Sequence, residues 1–392
     1  MRHSQTKVTT FLLGLQQALL IPFLSLFAVR ELGLQPLGLF VFLLAFHGSG
    51  LAVSLALPAM MDRFGRGGGS FQVLTALAAV GFGLFALPLN AGMATLIAGF
   101  LLGPASAQNS VFFAALKTSG TSRSGLLTTR GLFTVAWVAG PLVGSLIQGL
   151  TGFVGLFISL ALLNLFVLLL APLRHVTGPP ASSPLVESDT PARSKGQLWS
   201  AFVALVCLYG TNVIATTTMP IVMTGLQGGT SAMAGIAFAV SAALEALVLF
   251  CFARWSTQRR ERTLIIAACV PGAIYYILLA TTGAPWLLVV GQLPNAIFIS
   301  AAVGLGMTWF QSLMPARPGF ATGLFMNASR IASLATAPLI AGASSVTGSY
   351  QSVNWLAAAL LIPAILLLAT VRRSHRQFLP DSATPAASEV LD

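Results

Sequence analysis

A succession of long apolar runs is the feature that most limits what this chain can fold into. Each run has the roughly 20 mostly apolar residues that an α-helix needs to cross the hydrocarbon core of a bilayer. Of the 392 residues, 56% are hydrophobic and only 7% are charged, whereas soluble domains carry about 25% charged residues. The runs therefore predict an all-α integral membrane protein with many transmembrane helices.

The limits of the runs predict twelve transmembrane helices. They are Thr9–Val29, Leu37–Met61, Phe71–Leu89, Met93–Leu116, Leu126–Gly149, Gly152–Pro172, Leu198–Met223, Ser231–Ala253, Thr263–Thr282, Pro285–Phe310, Phe320–Val346 and Ser352–Val371. No cleavage site of the Ala-x-Ala kind follows the first run, so we interpret that run as a retained helix and not as a signal peptide.

The distribution of basic residues supports this count. With the N-terminus in the cytoplasm, every Lys and Arg falls in a cytoplasmic loop or tail except Arg30, in an external loop, and Arg130 and Arg330, within helices. Cytoplasmic loops of membrane proteins are enriched in Lys and Arg. We therefore predict both termini in the cytoplasm, and we attribute the net charge of +11 to topology and not to nucleic-acid binding.

The longest polar stretch, residues 175–196, divides the chain into two parts. It is rich in Pro and Ser, which is typical of a flexible linker. The predicted units are a six-helix bundle at 1–174, the cytoplasmic linker at 175–196, a second six-helix bundle at 197–373 and a cytoplasmic tail at 374–392.

The two bundles carry a weak internal repeat. A shift of 197 or 198 residues brings together the pairs Pro22 and Pro220, Gly38 and Gly235, and Pro141 and Pro338. Two parallel six-helix repeats are the organisation expected of a major facilitator transporter. The fold class predicted is therefore two pseudo-symmetric six-helix bundles.

Several other functions lack their sequence signatures. The three cysteines, Cys207, Cys251 and Cys269, lie in apolar segments without metal-like spacing, which argues against disulfides and a zinc site. The chain has no P-loop and no metal cluster. We expect no metal, no cofactor, no enzymatic activity and no ATP-driven transport by this chain alone.

Glu245 is the most unusual residue of the apolar runs. It lies inside the run Gly235–Phe252, while the other eight acidic residues fall in tails, linkers or segment ends. A carboxylate near the middle of a membrane helix costs about 2.5 kcal/mol or more on insertion scales. Such a residue usually faces a cavity and carries a proton, an ion or a polar substrate.

Two local motifs fit the major facilitator organisation. After the second run, an acidic residue with basic neighbours forms a candidate conformational latch, made of Asp62, Arg63, Gly65 and Arg66. The usual glycine four residues before the acid is Pro58 here, and a plain basic loop is the alternative interpretation. In the fifth run, the segment 140–144 resembles a motif of major facilitator exporters, with a packing kink as its alternative.

A more specific resemblance is to the bacterial sugar efflux transporters, the SET family of major facilitators. It is carried by the segments 22–27, 30–33, 35–36, 136–137, 140–141, 244–245, 295–299, 304–306, 310–311, 313–315, 327 and 329–330, together with Arg130. The resemblance covers most of the membrane part but neither the linker nor the tail. It implies a transporter in the bacterial inner membrane that exports sugars or glycosides in exchange for protons by alternating access.

In this architecture the helices around a central cavity carry the candidate site residues. A sugar needs amides and charged groups for its hydroxyls and an aromatic face for its apolar side. The substrate-binding candidates are Glu245, Arg330, Arg130, Asn327, Asn295, Gln16, Gln17, Gln108, Asn109, Asn212, Trp137 and Trp309, and the proton-coupling candidates are Glu245 and His47.

Each of these candidate residues also has a structural role as its alternative interpretation. Glu245 and either arginine could form a buried ion pair, the amides could join helices, and His47 and the aromatic residues could simply pack.

Among rival functions, a drug or metabolite exporter of the same fold is the alternative, although one carboxylate beside many amides favours a neutral polar cargo. A membrane sensor or lipid-handling protein is disfavoured because the chain has no large soluble effector domain. We expect a monomer whose partners are the bilayer, protons and a small sugar or glycoside.

Overall fold

The computed structural model of the protein describes residues 3–64, 68–112, 123–170, 195–255, 261–314 and 318–371. These residues form helices and contain no strand. We number the helical segments α1 to α12: His3–Arg30, Pro36–Phe64, Gly68–Phe85, Ala91–Phe112, 123–151, 153–170, Lys195–Gly225, Ser231–Trp255, Glu261–Thr281, Pro285–Leu313, Pro318–Thr347 and Asn354–Thr370. The prediction of an all-α membrane fold is confirmed.

Most of these helices are long and apolar enough to cross a membrane. The described residues contain nine such stretches and two shorter apolar helices, Gly69–Phe85 and Asn354–Thr370. One of the nine, Val135–Leu170, covers the end of α5 and all of α6. The number of twelve membrane crossings stays a prediction, as does the division at residues 175–196, because 171–194 lie outside the described residues.

A single glycine separates α5 from α6. Helical residues extend from Arg123 to Leu170, but Gly152 between them has the non-helical angles φ 69° and ψ −169°. This combination of angles is essentially restricted to glycine because a side chain would clash with the backbone. The break coincides with the boundary predicted between the fifth and sixth runs.

Two helices in corresponding positions of the halves contain a short π-helical segment. In α4 it covers Ala98–Leu102, and in α10 it covers Ser300–Leu305. Short π-helical turns inside α-helices are frequent at functional sites because they redirect the side chains that follow. Each of these segments lies in the helix that also carries candidate amides, Gln108 and Asn109 in α4 and Asn295 in α10.

The buried core follows the two halves of the chain. One set of apolar side chains from α1 to α6 includes a group of tilted and edge-on rings, Phe27, Phe85, Phe153 and Phe157, and a second set comes from α7 to α12. Ile221 of α7 and Ala337 of α11 pack into the first set. The halves therefore share apolar contacts as well as having cores of their own.

Among the described residues, three helix pairs make extensive contacts between the halves: α1 with α7, α2 with α11, and α5 with α8. In the last pair, a Cβ at Gly235 of α8 would lie 2.7 Å from the main-chain oxygen of Pro141, and Ser145 is closer still. On the other side of α5, Gly140 packs directly on Ala18 of α1. The segment 140–144 thus serves close packing, and any directional role for it stays a prediction.

Candidate functional site

Glu245 lies on α8 with its own serine partner one turn earlier. The hydroxyl of Ser241 donates to Glu245 Oε1 at 2.8 Å. The two residues are four apart and therefore share a face of the helix. Ser241 is buried and the Glu245 side chain is half-buried.

Amides of α10 extend this contact into a chain of hydrogen bonds. Asn295 Nδ2 donates to Ser241 Oγ at 3.2 Å and to Gln292 Oε1 at 2.9 Å. Gln292 Nε2 in turn donates to the hydroxyl of Tyr275 on α9 at 3.3 Å. We call these five residues, Glu245, Ser241, Asn295, Gln292 and Tyr275, the acidic network, which links α8, α10 and α9.

One acceptor of the acidic network has no partner. Asn295 is 8% exposed, and its Oδ1 atom is buried without a hydrogen-bond partner. A buried amide oxygen without a donor carries a desolvation cost of about 1–3 kcal/mol. A donor group from a bound molecule would offset this cost.

The first half contains a network of amides without an acid. Gln16 Nε2 of α1 donates to Gln108 Oε1 of α4 at 3.1 Å, and Gln108 Nε2 donates to Asn164 Oδ1 of α6 at 3.2 Å. Gln16 Oε1 is buried without a partner. Two of the predicted site residues therefore join helices within one half, and one of them keeps a free acceptor.

Arg330 of α11 bonds across to the first half. Its Nη1 donates to Ser106 Oγ at 3.2 Å and its Nη2 donates to the main-chain oxygen of Ser106 at 3.0 Å. Ser106 follows the π-helical segment of α4, where the helix is interrupted. Arg330 and Glu245 both lie within the described residues, and they do not form an ion pair with each other in this structure.

Two further candidates lie near this contact. The hydroxyl of Ser54 on α2 lies 3.4 Å from Asn327 Oδ1 on α11. His47, also on α2, is half-buried and meets the ring of Phe46 edge-on at 5.0 Å. It lies one turn before Gly50, where a Cβ would be 3.0 Å from Arg330 Nη1. The α2–α11 contact therefore brings together three of the predicted site residues.

The remaining candidates fall into three groups. Gln17, Asn109, Asn212 and Trp137 are half-buried on α1, α4, α7 and α5. Trp309 is 4% exposed and packs in the apolar core of the second half, so packing accounts for it. The side chains of Arg130, Asp62 and Arg63 are not described, although these residues lie on helices, and Gly65 and Arg66 lie outside the described residues.

Four residues of these networks were not predicted from the sequence: Ser241, Gln292, Ser106 and Asn164. The spacing of Ser241 and Glu245, and of Gln292 and Asn295, places each pair on one helix face, and this signal was available. The contact of Arg330 with Ser106 joins residues 224 positions apart, and nothing in the sequence indicates it. In the part of the chain that the structure describes, no group of three His, Cys, Asp or Glu side chains could hold a metal.

The fold and sequence place the chain in a known class of membrane protein. The sequence model of the Major Facilitator Superfamily matches residues 8–335 and 201–389. The structure of the nucleoside transporter NupG aligns with a TM-score of 0.74 at 14% identity, over 95% of this chain and 100% of that one. The structure of a POT family transporter in complex with 5-aminolevulinic acid aligns with a TM-score of 0.76 at 11% identity, over 94% of this chain and 95% of that one. The chain is a major facilitator transporter and not an enzyme.

Closer relatives define the family within this class. A relative from Deinococcus radiodurans, whose name describes it as a sugar efflux transporter, is 32% identical over 93% of this chain and 97% of its own length. Sugar efflux transporter A of Escherichia coli is 28% identical over 93% of this chain and 95% of its own length. The chain belongs to the sugar efflux transporter family of the Major Facilitator Superfamily.

Proposed function

We propose that this protein exports sugars or glycosides across the bacterial inner membrane in exchange for protons. The names of its relatives support the cargo class. The placement of basic residues supports an orientation with both termini in the cytoplasm. A monomer of two six-helix bundles, residues 1–174 and 197–373, suffices for alternating access.

The observation that carries the proposal is the acidic network. A single carboxylate, Glu245, is connected through Ser241 to an amide with an unsatisfied buried oxygen, Asn295. Sugar hydroxyls both donate and accept hydrogen bonds, so amides and a carboxylate suit them. Gln16 offers a second free acceptor from the first half. The remaining candidates keep their proposed cavity roles: Arg130, Arg330, Asn327, Gln17, Gln108, Asn109, Asn212 and Trp137.

In this proposal Glu245 carries the exchanged proton. It binds a proton on the external side and releases it on the cytoplasmic side, and its charge biases the affinity for sugar. His47, beside Arg330, is the second proton-coupling candidate, and Asp62 with its basic neighbours acts as the latch.

A ligand screen of the purified protein tests the cargo class. Monosaccharides, disaccharides, glycosides and cationic dyes are compared by thermal shift, and the best sugar is then tested for export from proteoliposomes with an imposed proton gradient. We expect stabilisation by sugars or glycosides and gradient-dependent export. Stabilisation by dyes alone would replace the sugar assignment with the alternative of a drug exporter.

A further inference from the structure

Among the described residues, only the Ser241 hydroxyl is hydrogen-bonded to both the Glu245 carboxylate and the Asn295 amide. This hydroxyl donates to Glu245 Oε1 at 2.8 Å and accepts from Asn295 Nδ2 at 3.2 Å. Ser241 is 5% exposed, so water does not readily replace either bond. We propose that Ser241 is a positioning residue that transmits the charge state of Glu245 to Asn295, an inference that rests on the proposed proton role of Glu245.

The direction of the hydrogen bonds supplies the mechanism. An ionised carboxylate only accepts hydrogen bonds, so it fixes the Ser241 hydroxyl as a donor toward Glu245. The Ser241 oxygen is then left to accept from Asn295 Nδ2, which leaves Asn295 Oδ1 free to accept from a sugar hydroxyl. A bond to a charged acceptor is about twice as strong as a neutral one, so this arrangement is firm while Glu245 is ionised.

Protonation of Glu245 loosens the arrangement. A proton from the external side forms an O–H bond on the carboxylate, and no covalent bond of Ser241 or Asn295 changes. The protonated carboxyl now has an O–H that can donate to Ser241 Oγ, the atom that accepts from Asn295 Nδ2. This competition holds the Asn295 amide less firmly, so its Oδ1 is presented less well to a sugar hydroxyl. Proton binding and sugar binding therefore oppose each other, as an exchange of the two requires.

The far end of the acidic network keeps Asn295 in place independently of charge. Gln292 accepts from Asn295 Nδ2, and Gln292 is itself bonded to Tyr275 and to the main-chain oxygen of Leu288. These partners are neutral amides, a phenol and a carbonyl. Of the hydrogen bonds of Asn295 in the described structure, only the one with Ser241 leads to a carboxylate.

Few other titratable groups come from the helices packed against α8. The segment of α10 contains no ionisable side chain, α7 brings Lys195, Cys207 and Tyr209, and α8 itself carries Cys251 and Arg254. The helix α5 carries Arg123 and Arg130, whose side chains are not described. A shift in the pH dependence of transport in a Ser241 variant is therefore attributed to Glu245 by comparison with the Glu245→Gln variant.

Four variants of the full-length protein in proteoliposomes test this role. Ser241→Ala removes the hydroxyl, and Ser241→Thr restores one at the same position. Ser300→Ala is the matched control, because Ser300 donates to the main-chain oxygen of Glu245 at 3.0 Å and not to its carboxylate. Glu245→Gln reports on the underlying proton role. Each variant is measured for proton-driven export and for exchange without a proton gradient, with a radiolabelled form of the sugar that gives the largest thermal shift.

For Ser241→Ala we expect the midpoint of the pH dependence to move to higher pH by about one unit, because the ionised carboxylate loses a donor. Apparent sugar affinity should fall about fivefold, because Asn295 Nδ2 loses one neutral acceptor and the amide that binds the sugar is held less firmly. Ser241→Thr should restore both values, and Ser300→Ala should leave the pH midpoint unchanged.

Failure of the inference and failure of the proposed function give different results. If Glu245→Gln abolishes proton-driven export while Ser241→Ala matches the wild type, the inference alone is overturned. It is also overturned if Ser241→Thr fails to rescue or if Ser300→Ala shifts the pH midpoint equally, since both results indicate a packing role. If Glu245→Gln keeps proton-driven export, the proposed function itself is wrong.

Discussion

At the scale of single residues, Glu245 and Arg330 carry opposite charges within helices, and each is hydrogen-bonded to a different serine. Glu245 accepts from a serine of its own helix, whereas Arg330 donates to a serine of the other half. A buried ion pair between them would be costly to separate. With neutral partners, each side chain keeps hydrogen-bonding capacity for a cargo, and each can exchange partners at a lower cost.

The change Glu245→Gln removes the charge and keeps the shape of the side chain. We expect proton-driven export to fall at least tenfold because an amide does not titrate, while sugar exchange without a gradient persists because the amide oxygen still accepts from Ser241. Transport in proteoliposomes with and without a proton gradient measures both.

A second buried acid provides the matched control for that variant. Glu261 is 5% exposed at the start of α9 and accepts from Thr308 at 2.8 Å, outside the acidic network. Glu261→Gln should keep proton-driven export. Equal loss in both variants would mean that removing any buried acid impairs the protein, and it would remove the special role of Glu245.

At the scale of helices, a glycine allows the contact of α2 with α4 and α11. A Cβ at Gly50 would lie 2.5 Å from Ser106 Oγ, 2.9 Å from the main-chain oxygen of Gly103 and 3.0 Å from Arg330 Nη1. All three atoms belong to the region where Arg330 meets α4. The close approach therefore depends on the absence of a side chain at this position.

Gly50→Ala should separate α2 from α4 and disturb the Arg330–Ser106 contact. We expect overpacking of about 1–3 kcal/mol, a lower melting temperature and at least partial loss of transport. Gly48→Ala is the control two residues away, because its nearest neighbour would be Leu334 at 3.8 Å, an ordinary contact. Similar melting temperatures for the two variants would show that the approach at Gly50 is not tight.

The helices were largely predictable because the bilayer imposes a length and an apolar composition on each of them. The break at Gly152 also fell where the apolar runs separate. The π-helical segments of α4 and α10 were not predicted, because their apolar sequences are equally compatible with a regular α-helix. For the same reason the edges of α3 differ, with Gly68–Phe85 observed and Phe71–Leu89 predicted.

Within the candidate site, the charged and amide side chains could be predicted from the sequence, because such groups are costly to bury in an apolar helix. Glu245 and Asn295 stand out against apolar neighbours, and the structure joins them through Ser241. Serines are common in membrane helices and usually bond to their own helix, so the partners Ser241 and Ser106 carried little signal. Trp309 was expected at the cavity and lies in the core, because composition alone does not tell which face of a helix turns inward.

At the scale of the whole molecule, hydrogen bonds join the halves at two positions along the helices, which we call the first and the second level. Near the end of the bundle where α1 ends, Arg30 bonds to Thr224 at 3.1 Å, and the Ser25 hydroxyl donates to the main-chain oxygen of Thr217 at 2.6 Å. Further along the helices, Arg330 contacts Ser106. Alternating access by rocking of the halves requires the first level to open.

A covalent link at the first level should therefore stop the transport cycle. Ser25→Cys and Thr217→Cys are introduced together in a protein whose native cysteines are replaced, since Cys207, Cys251 and Cys269 are free thiols. The Ser25 side chain touches the backbone of residue 217, and this proximity suits a disulfide or a short thiol cross-linker. We expect oxidation to abolish sugar export and a reductant to restore it, because the halves cannot separate at this end while they are linked. Each single cysteine variant, oxidised in parallel, controls for damage by the oxidant. Full export by the cross-linked protein, verified by its mobility on a gel, would exclude opening at this end and with it the rocking mechanism proposed here.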